Sequence, residues 1–526
     1  MKTADHDFHG RRRWWLPSVS LSIWLTFFLA LSLSDWRFVL ISADGDPCLH
    51  WRIGNWMITH RTVIRADQFS HTRFDAPLVS KEWLSEVLFA TAGNLLGWNG
   101  IVLVAAALIA TTLWLLHRQL LWEGNEVLLS TGLVMLAAFA SSAHWLARPH
   151  LVTQLLAVVF GWELRDFEAG RTSPKRLFAL LTPLMLLWAN LHGAFFVGFV
   201  LIGVYAAVSG AGMFSGDREQ RLRARSRCAT LMLLLTVCLL VSLINPNGWK
   251  LHAQILHFLR TPALAALTNE FRSANFHSGA ANGFSLELFV LALVLLVARP
   301  RLQSAEILLI GVWGYFALHS ARNIPLFALV VTPIFTTHLN HFLLQRQDSR
   351  WMRLYRKVST DISSLDRSAS GLIPAVFVVG LLISAIVWPI ASGLRPLITT
   401  EILTNRFPVA TVECCLKGLE ADAALRGEMF NDYGWGGYLM LALPGRKVFI
   451  DGRNDFYGEE LVREFNQADD AKPGWEKVFE KYNVGWTILP PQHPLNSLLA
   501  LRADWSLYHT DEVSAVFVHS PTKAPR

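Results

Sequence analysis

Apolar residues fall in long blocks separated by short polar stretches, at 18–33, 98–116, 127–145, 151–164, 177–191, 194–213, 229–244, 284–298, 307–318, 325–344 and 372–390. A helix of about 20 apolar residues crosses the hydrocarbon core of a bilayer. The pattern therefore predicts an α-helical polytopic membrane protein with about eleven transmembrane helices. The segment 83–97 is shorter and holds Glu86 and Asn94, so it reads as an amphipathic helix lying on the membrane surface. After residue 392 the pattern changes. Charges return, apolar runs shrink to strand length at 447–450, 485–489 and 514–518, and 401–426, 459–468 and 474–482 have helical spacing. The chain thus divides into a transmembrane domain, 1–392, and a C-terminal soluble α/β domain, 393–526.

Charge orients this arrangement. Arg11, Arg12 and Arg13 precede the first block, and the loops at 165–176, 218–227, 299–301 and 346–367 are basic. Lys and Arg mark cytoplasmic loops, so the amino terminus is expected inside. An odd number of spans then puts the C-terminal domain outside, on the face that carries nearly every polar motif. An Arg-rich start, an apolar stretch and small residues at 30–34 also open a secretory signal peptide; a first span retained in the bundle is the preferred reading.

Only 17% of residues are charged and 52% are apolar, whereas soluble domains carry roughly a quarter of their residues as charges. This excludes a single water-facing core and a disordered chain. The excess of 47 Lys and Arg over 40 Asp and Glu is spread over loops rather than gathered on one face, which argues against nucleic acid as a partner. Five Cys form no disulfide framework, Cys228 and Cys238 lie in an apolar block as small hydrophobes, and redox chemistry is not expected. No zinc signature, P-loop, dinucleotide fingerprint or Gly-x-Ser-x-Gly elbow occurs. A transporter would carry charges deep in its spans; here the spans read as nearly uncharged, with ionisable residues gathered at the outer ends.

The first outer loop, 43–97, opens with Ala43-Asp-Gly-Asp-Pro-Cys-Leu-His-Trp51. Two carboxylates two residues apart can take a proton, hold a divalent cation or cap a helix. Pro47 after Asp46 fits an N-cap Asp with proline in the first turn. Asp44 has no such duty, and Gly45 lets the backbone turn both side chains toward one pocket. His50, His144, His150, His192, His277 and His319 share the outer face. Arg148 and Arg322, the latter beside Asn323, stand where positive charge is disfavoured. Each is expected to meet an anion, either a phosphate, whose oxygens guanidinium and imidazolium donors match, or one of Glu82, Glu86 and Glu270.

The motifs around these residues are Asp46 to Gly54, Asp67-Gln-Phe-Ser70, Glu82-Trp-Leu-Ser-Glu86, Arg148-Pro-His-Leu151, Trp188-Ala-Asn-Leu-His-Gly193, Asn245-Pro-Asn-Gly248, Ala321-Arg-Asn-Ile-Pro325, Asn431-Asp-Tyr-Gly-Trp-Gly-Gly-Tyr438 and Phe449-Ile-Asp-Gly-Arg453. Over almost its whole length the chain resembles an uncharacterised bacterial branch of the GT-C superfamily of polytopic membrane glycosyltransferases, with a glycosyltransferase 39 and oligosaccharyltransferase-like layout. The resemblance implies sugar transfer from a polyprenyl-phosphate-linked donor at the outer face of the bacterial inner membrane, onto a glycan, lipid or protein acceptor. It maps the superfamily's first-loop acid onto Asp46, or onto Asp44 if the register slips by two. The familiar acid pair lacks the intervening Gly, and the second outer loop, 144–150, holds no acid where the superfamily often has one.

On this reading Asp46 or Asp44 is the catalytic base, and Arg148, His150, Arg322 and Asn323 bind the donor phosphate. His50, Trp51, Glu82, Trp83 and His192 line the substrate site, with the Trp rings as sugar-stacking candidates. Asp451 and Arg453 line a cleft in the outer domain that selects the acceptor, or else form a buried pair. No metal is strictly required; a divalent metal bridging the carboxylates and the phosphate is the variant mechanism. A non-catalytic membrane protein that binds or moves a polyprenyl lipid or polysaccharide with the same pocket is the alternative.

Overall fold

The structure, a computed structural model, describes residues 14–261, 269–346, 349–369, 371–391, 398–416 and 425–520. Each of the eleven apolar blocks is helical in it. The helices are α1 (Val19–Leu33), α2 (Trp36–Ser42), α3 (Asp46–His60), α4 (Trp83–Leu96), α5 (Trp98–Trp122), α6 (Val127–Ser141), α7 (His150–Glu168), α8 (Pro174–Leu191), α9 (Phe196–Gly212), α10 (Arg218–Ser242), α11 (Trp249–Arg260), α12 (Asn282–Ala298), α13 (Ser304–His319), α14 (Ile324–Gln345), α15 (Arg350–Ser368) and α16 (Leu372–Ala391). Among the described residues six are long and apolar enough to cross a membrane: Trp98–Trp122, Val127–His144, Gly193–Gly212, Arg218–Ser242, Gly279–Ala298 and Ala321–Gln345. Val19–Leu33 and Trp36–Ser42 pass together but bend by 69° at their break.

Local chemistry sets the helix ends. Ser173 caps α8 by accepting from the Arg176 amide, with Pro174 in the first turn, and Asp217 with Gln220 forms a reciprocal capping box at α10. The first helix is built into the bundle: Ser20 Oγ lies 2.8 Å from His117 Nδ1 and Trp24 Nε1 donates to Thr111 at 3.0 Å, both on α5.

Charge is not confined to one end of the bundle, contrary to the sequence expectation. At the end remote from the first loop, Arg165 on α7 binds Glu123 at 3.0 Å and Glu306 at 3.5 Å, and His338 on α14 binds Glu306 at 2.9 Å. Glu287 is wholly buried in α12 beside Thr332. The helical pattern did not expose these groups because the pairing that makes them tolerable joins different helices.

The C-terminal domain is a four-stranded sheet of order β1-β2-β4-β3, built from β1 (Glu428–Asn431), β2 (Val484–Leu489), β3 (Trp505–Thr510) and β4 (Ala515–His519). β1 runs parallel to β2, and the β2–β4 and β3–β4 pairs are antiparallel. Helices α17 (Gly436–Ala442), α18 (Asn454–Asp469), α19 (Trp475–Lys481) and α20 (Pro494–Ala500) accompany it. Its core centres on Phe430, Phe449, Phe465 and Phe479. Two expectations fail here. The run at 447–450 is not a strand of the sheet; Val448 makes only an isolated bridge to Ser70 of the first loop. Of the expected helix 401–426, residues 417–424 lie outside those described; 401–408 are not helical, in keeping with Pro408, and a helical turn and a π-turn occupy Val409–Thr411 and Val412–Leu416.

Candidate functional site

The acidic turn is set by what packs on it. Gly45 has ordinary helical dihedrals, so its role is not a left-handed turn; a Cβ there would lie 2.6 Å from the Gly434 carbonyl oxygen. A Cβ on Gly437 would lie 2.2 Å from the Gly45 oxygen, and one on Gly452 would lie 2.3 Å from Asp46 Oδ1. The Tyr-Gly-Trp-Gly-Gly and Asp-Gly-Arg motifs of the C-terminal domain thus close directly over the first-loop acids. The capping expectation is reversed. Asp44 accepts from the Asp46 amide at 3.0 Å, whereas Asp46 is the first residue of α3 and not its N-cap, which is Gly45.

Arg148, in the turn before α7, gathers three carboxylates. It pairs with Asp44 through Nη2, with Asp46 at 3.2 Å through Nε, and with Glu270 at 2.6 Å through Nη1. These attractions outweigh burial and hold the guanidinium charged. Arg322 stands 3.7 Å from the other Glu270 oxygen and over the Phe271 ring. Burial pushes the Glu270 carboxyl up, but Arg148 and Arg322 prevail and hold it at about 2. The turn carrying Glu270 is tied to the turn carrying Arg322 by Ser320 Oγ donating to the Glu270 carbonyl and by the Ala321 amide donating to the Arg272 carbonyl.

The histidines divide. His150 Nε2 donates to the His144 carbonyl at 2.8 Å, and burial and His144 bring its pKa down to about 3. It is therefore neutral, which corrects the expectation of an imidazolium on phosphate. His192 is likewise held neutral by burial and by Arg322. Its Nδ1 meets Thr153 at 2.7 Å and its Nε2 meets Glu82 at 3.3 Å. Burial works against the charge on His50, but Glu86 at 3.7 Å and Glu82 at 3.9 Å raise its pKa. Glu82 and Glu86 thus serve the histidines and not the arginines.

Other expected residues are engaged elsewhere. The Trp51 ring lies against Gly93 and edge-on to Trp98, with Nε1 donating to Asn94, which places it in helix packing. Trp83 Nε1 donates to Asn190 at 2.9 Å, and Asn323 Nδ2 donates to the Phe316 carbonyl at 3.2 Å. Asp451 and Arg453 do not line a cleft. Asp451 is wholly buried, accepting from Arg453 at 2.6 Å and from the Tyr457 hydroxyl at 2.6 Å. Arg453 also reaches Asp67 of the first loop at 2.8 Å, and Lys81 reaches Asp455 at 2.8 Å. Sequence reasoning named Glu270 only as one of three partners for an arginine and missed Asp67 and Lys81 as domain ties. The usable signal was two arginines on a disfavoured face, which required acids nearby.

A divalent metal does not fit the acid cluster as it stands. Asp44, Asp46 and Glu270 each turn at least one oxygen to the Arg148 guanidinium, and the second Glu270 oxygen faces Arg322, so the cation among the three acids is Arg148 itself.

No protein-family model matches the chain, and no curated protein matches it. Its fold is similar to the oligosaccharyltransferase of Archaeoglobus fulgidus tethered with an acceptor peptide containing the NVT sequon, with a TM-score of 0.52 and 14% identity over 89% of this chain and 68% of that one. The apo form gives 0.51 and 12% over 96% and 75%. ArnT from Cupriavidus metallidurans bound to undecaprenyl phosphate matches at 0.46 with 14% identity over 96% and 99%. The chain thus shares the fold of that oligosaccharyltransferase, a polytopic helical membrane domain followed by a C-terminal domain built on a small sheet.

Proposed function

We propose that this protein is a GT-C glycosyltransferase that moves a sugar from a polyprenyl-phosphate-linked donor to an acceptor at the outer face of the inner membrane. The observation that carries the reading is the convergence of Asp44, Asp46, Glu270, Arg148 and Arg322 beneath the C-terminal domain, on a fold shared with an oligosaccharyltransferase. Asp46 is the base toward the acceptor, since Asp44 is engaged in holding the turn. Arg322, the less committed guanidinium of the two, takes the negative charge of the leaving lipid phosphate. Arg148 holds the three acids together and aligned.

The test is native mass spectrometry of the detergent-purified protein beside Arg322→Ala, followed by a transfer assay with the lipid so identified. A phosphorylated polyprenyl sugar retained by the wild type and lost from Arg322→Ala is the expected result. Asp46→Asn should then keep the lipid and lose turnover by about 10²- to 10⁴-fold, the usual scale of general-base catalysis. Ordinary phospholipid alone, unchanged in the variant, overturns the reading. Lipid retention with no transfer by the wild type supports the non-catalytic binder instead.

A further inference from the structure

Cys414 and Cys415 lie apart from the acid cluster, on the π-turn Val412–Leu416 that leads into the C-terminal domain. Such turns are rare and recur at functional sites. Facing them is the β3–β4 hairpin, whose register slips between Leu507 and His509. A bulge re-aims side chains, and this one brings His509 to the two thiols. Both sulfurs and a ring nitrogen of His509 lie within 4.8 Å of one another, with the sulfurs 2.6 Å apart. His509 Nε2 is shielded from solvent and has no hydrogen-bond partner among the described residues. Leaving such a nitrogen unpaired is unfavourable. Asp511 Oδ2 stands 3.9 Å from it.

The frame behind these groups is fixed. Thr411 Oγ1 donates to Asp511 Oδ2 at 2.6 Å and meets Ser514 Oγ at 2.7 Å. Asp511 Oδ1 accepts from the amides of Val513 at 2.8 Å and Ser514 at 2.7 Å. The helical turn and the hairpin are therefore already joined, and the thiols and imidazole project from opposite sides of that joint.

We propose that Cys414, Cys415 and His509 form a site for a thiophilic metal ion, zinc(II) by class, which pins the segment 409–416 to the β3–β4 hairpin. Two thiolates and an imidazole are a zinc donor set, with the fourth position left to water or to Asp511. Soft sulfur donors disfavour calcium and magnesium, which take oxygen. A tetrahedral ion holds two sulfurs about 3.8 Å apart, so binding requires the exposed Cys414 side chain to turn away from its 2.6 Å approach to Cys415. The signature escaped sequence reading because the ligands are a vicinal pair and a distant His rather than two spaced Cys-x-x-Cys halves. The pinned segment continues from one that braces the acidic turn: the Leu403 amide donates to Ser42 at 3.1 Å, and Trp435 Nε1 donates to the Arg406 carbonyl at 2.9 Å. The proposal stands independently of the transferase reading.

The test uses the full-length protein in detergent, reduced and stripped with a chelator, then titrated with Zn²⁺ against a chromogenic competitor and with Co²⁺ to read the thiolate-to-metal charge-transfer band. One zinc per chain, that band and a zinc-dependent rise in Tm are expected. His509→Ala should weaken zinc binding by about tenfold or more. The Cys414→Ser/Cys415→Ser double variant should lose the band and the zinc response while its metal-free Tm matches that of the wild type. A wild type that binds no more zinc than the double variant overturns the site. So does a protein that without reductant loses two hydrogens in mass as a vicinal disulfide and, once reduced again, binds no zinc.

Discussion

Arg148 is the residue on which the acid cluster depends. Its removal leaves Asp44 and Asp46 without their counter-charge and Glu270 with Arg322 alone, and losing one partner of a buried pair costs about 3–5 kcal/mol. Arg148→Ala should lower Tm markedly, whereas Glu270→Gln, which leaves Arg148 two acids, should lower it much less; thermal unfolding of both variants checks the order. pH gives a second reading. Glu270 is held at about 2 in the folded protein, below the roughly 4.3 of a free glutamate. A depressed carboxyl stabilises the fold fully above its unfolded value and loses that contribution as pH falls toward the folded one. Tm measured from pH 5 down to pH 2 should therefore fall less steeply in Glu270→Gln than in the wild type. That Arg148 and Arg322 would meet an acid such as Glu270 was legible because their charge stood on a face where Lys and Arg are disfavoured. The neutrality of His150 was not, since it comes from burial and from the His144 carbonyl, neither of which is visible in a sequence.

At the level of elements, contact between the first loop and the C-terminal domain is made by glycines. A Cβ on Gly437 meets a backbone oxygen that cannot rotate away, while one on Gly452 meets the end of the Asp46 side chain. Gly437→Ala should accordingly cost about 1–3 kcal/mol, as overpacking does. Gly452→Ala should change Tm little and reduce transfer by displacing the Asp46 carboxylate. Comparing Tm with turnover in the two variants separates these outcomes. The apolar blocks were read correctly as helices because length and composition suffice for them. The run at 447–450 was misread because its partner, the 69–71 stretch of the first loop, lies in the other domain: the Val448 amide donates to the Phe69 carbonyl and the His71 amide to the Val448 carbonyl. Strand β1 has only four residues, too few for alternation to register.

Across the whole molecule, the two domains are held by ionic ties as well as by close contact. Arg453 joins Asp67, and Lys81 joins Asp455. Arg453→Met leaves Asp67 and Asp451 without that partner and should loosen the C-terminal domain, which limited proteolysis would release faster than from the wild type. The eleven-span topology is an expectation of the same scale: a reporter fused after Arg526 should be active outside the cytoplasm, and activity only inside would reverse the orientation. The closure of the Gly434–Gly437 and Gly452 turns over Asp44 and Asp46 also has a consequence in time. The chain is made from its amino terminus, and about 390 residues separate the acidic turn from the turns that cover it. At 5–20 residues per second, the ribosome finishes the cover roughly 20–80 s after the acids, so a nascent chain holds its charged cluster open until the last domain has been synthesised and docked.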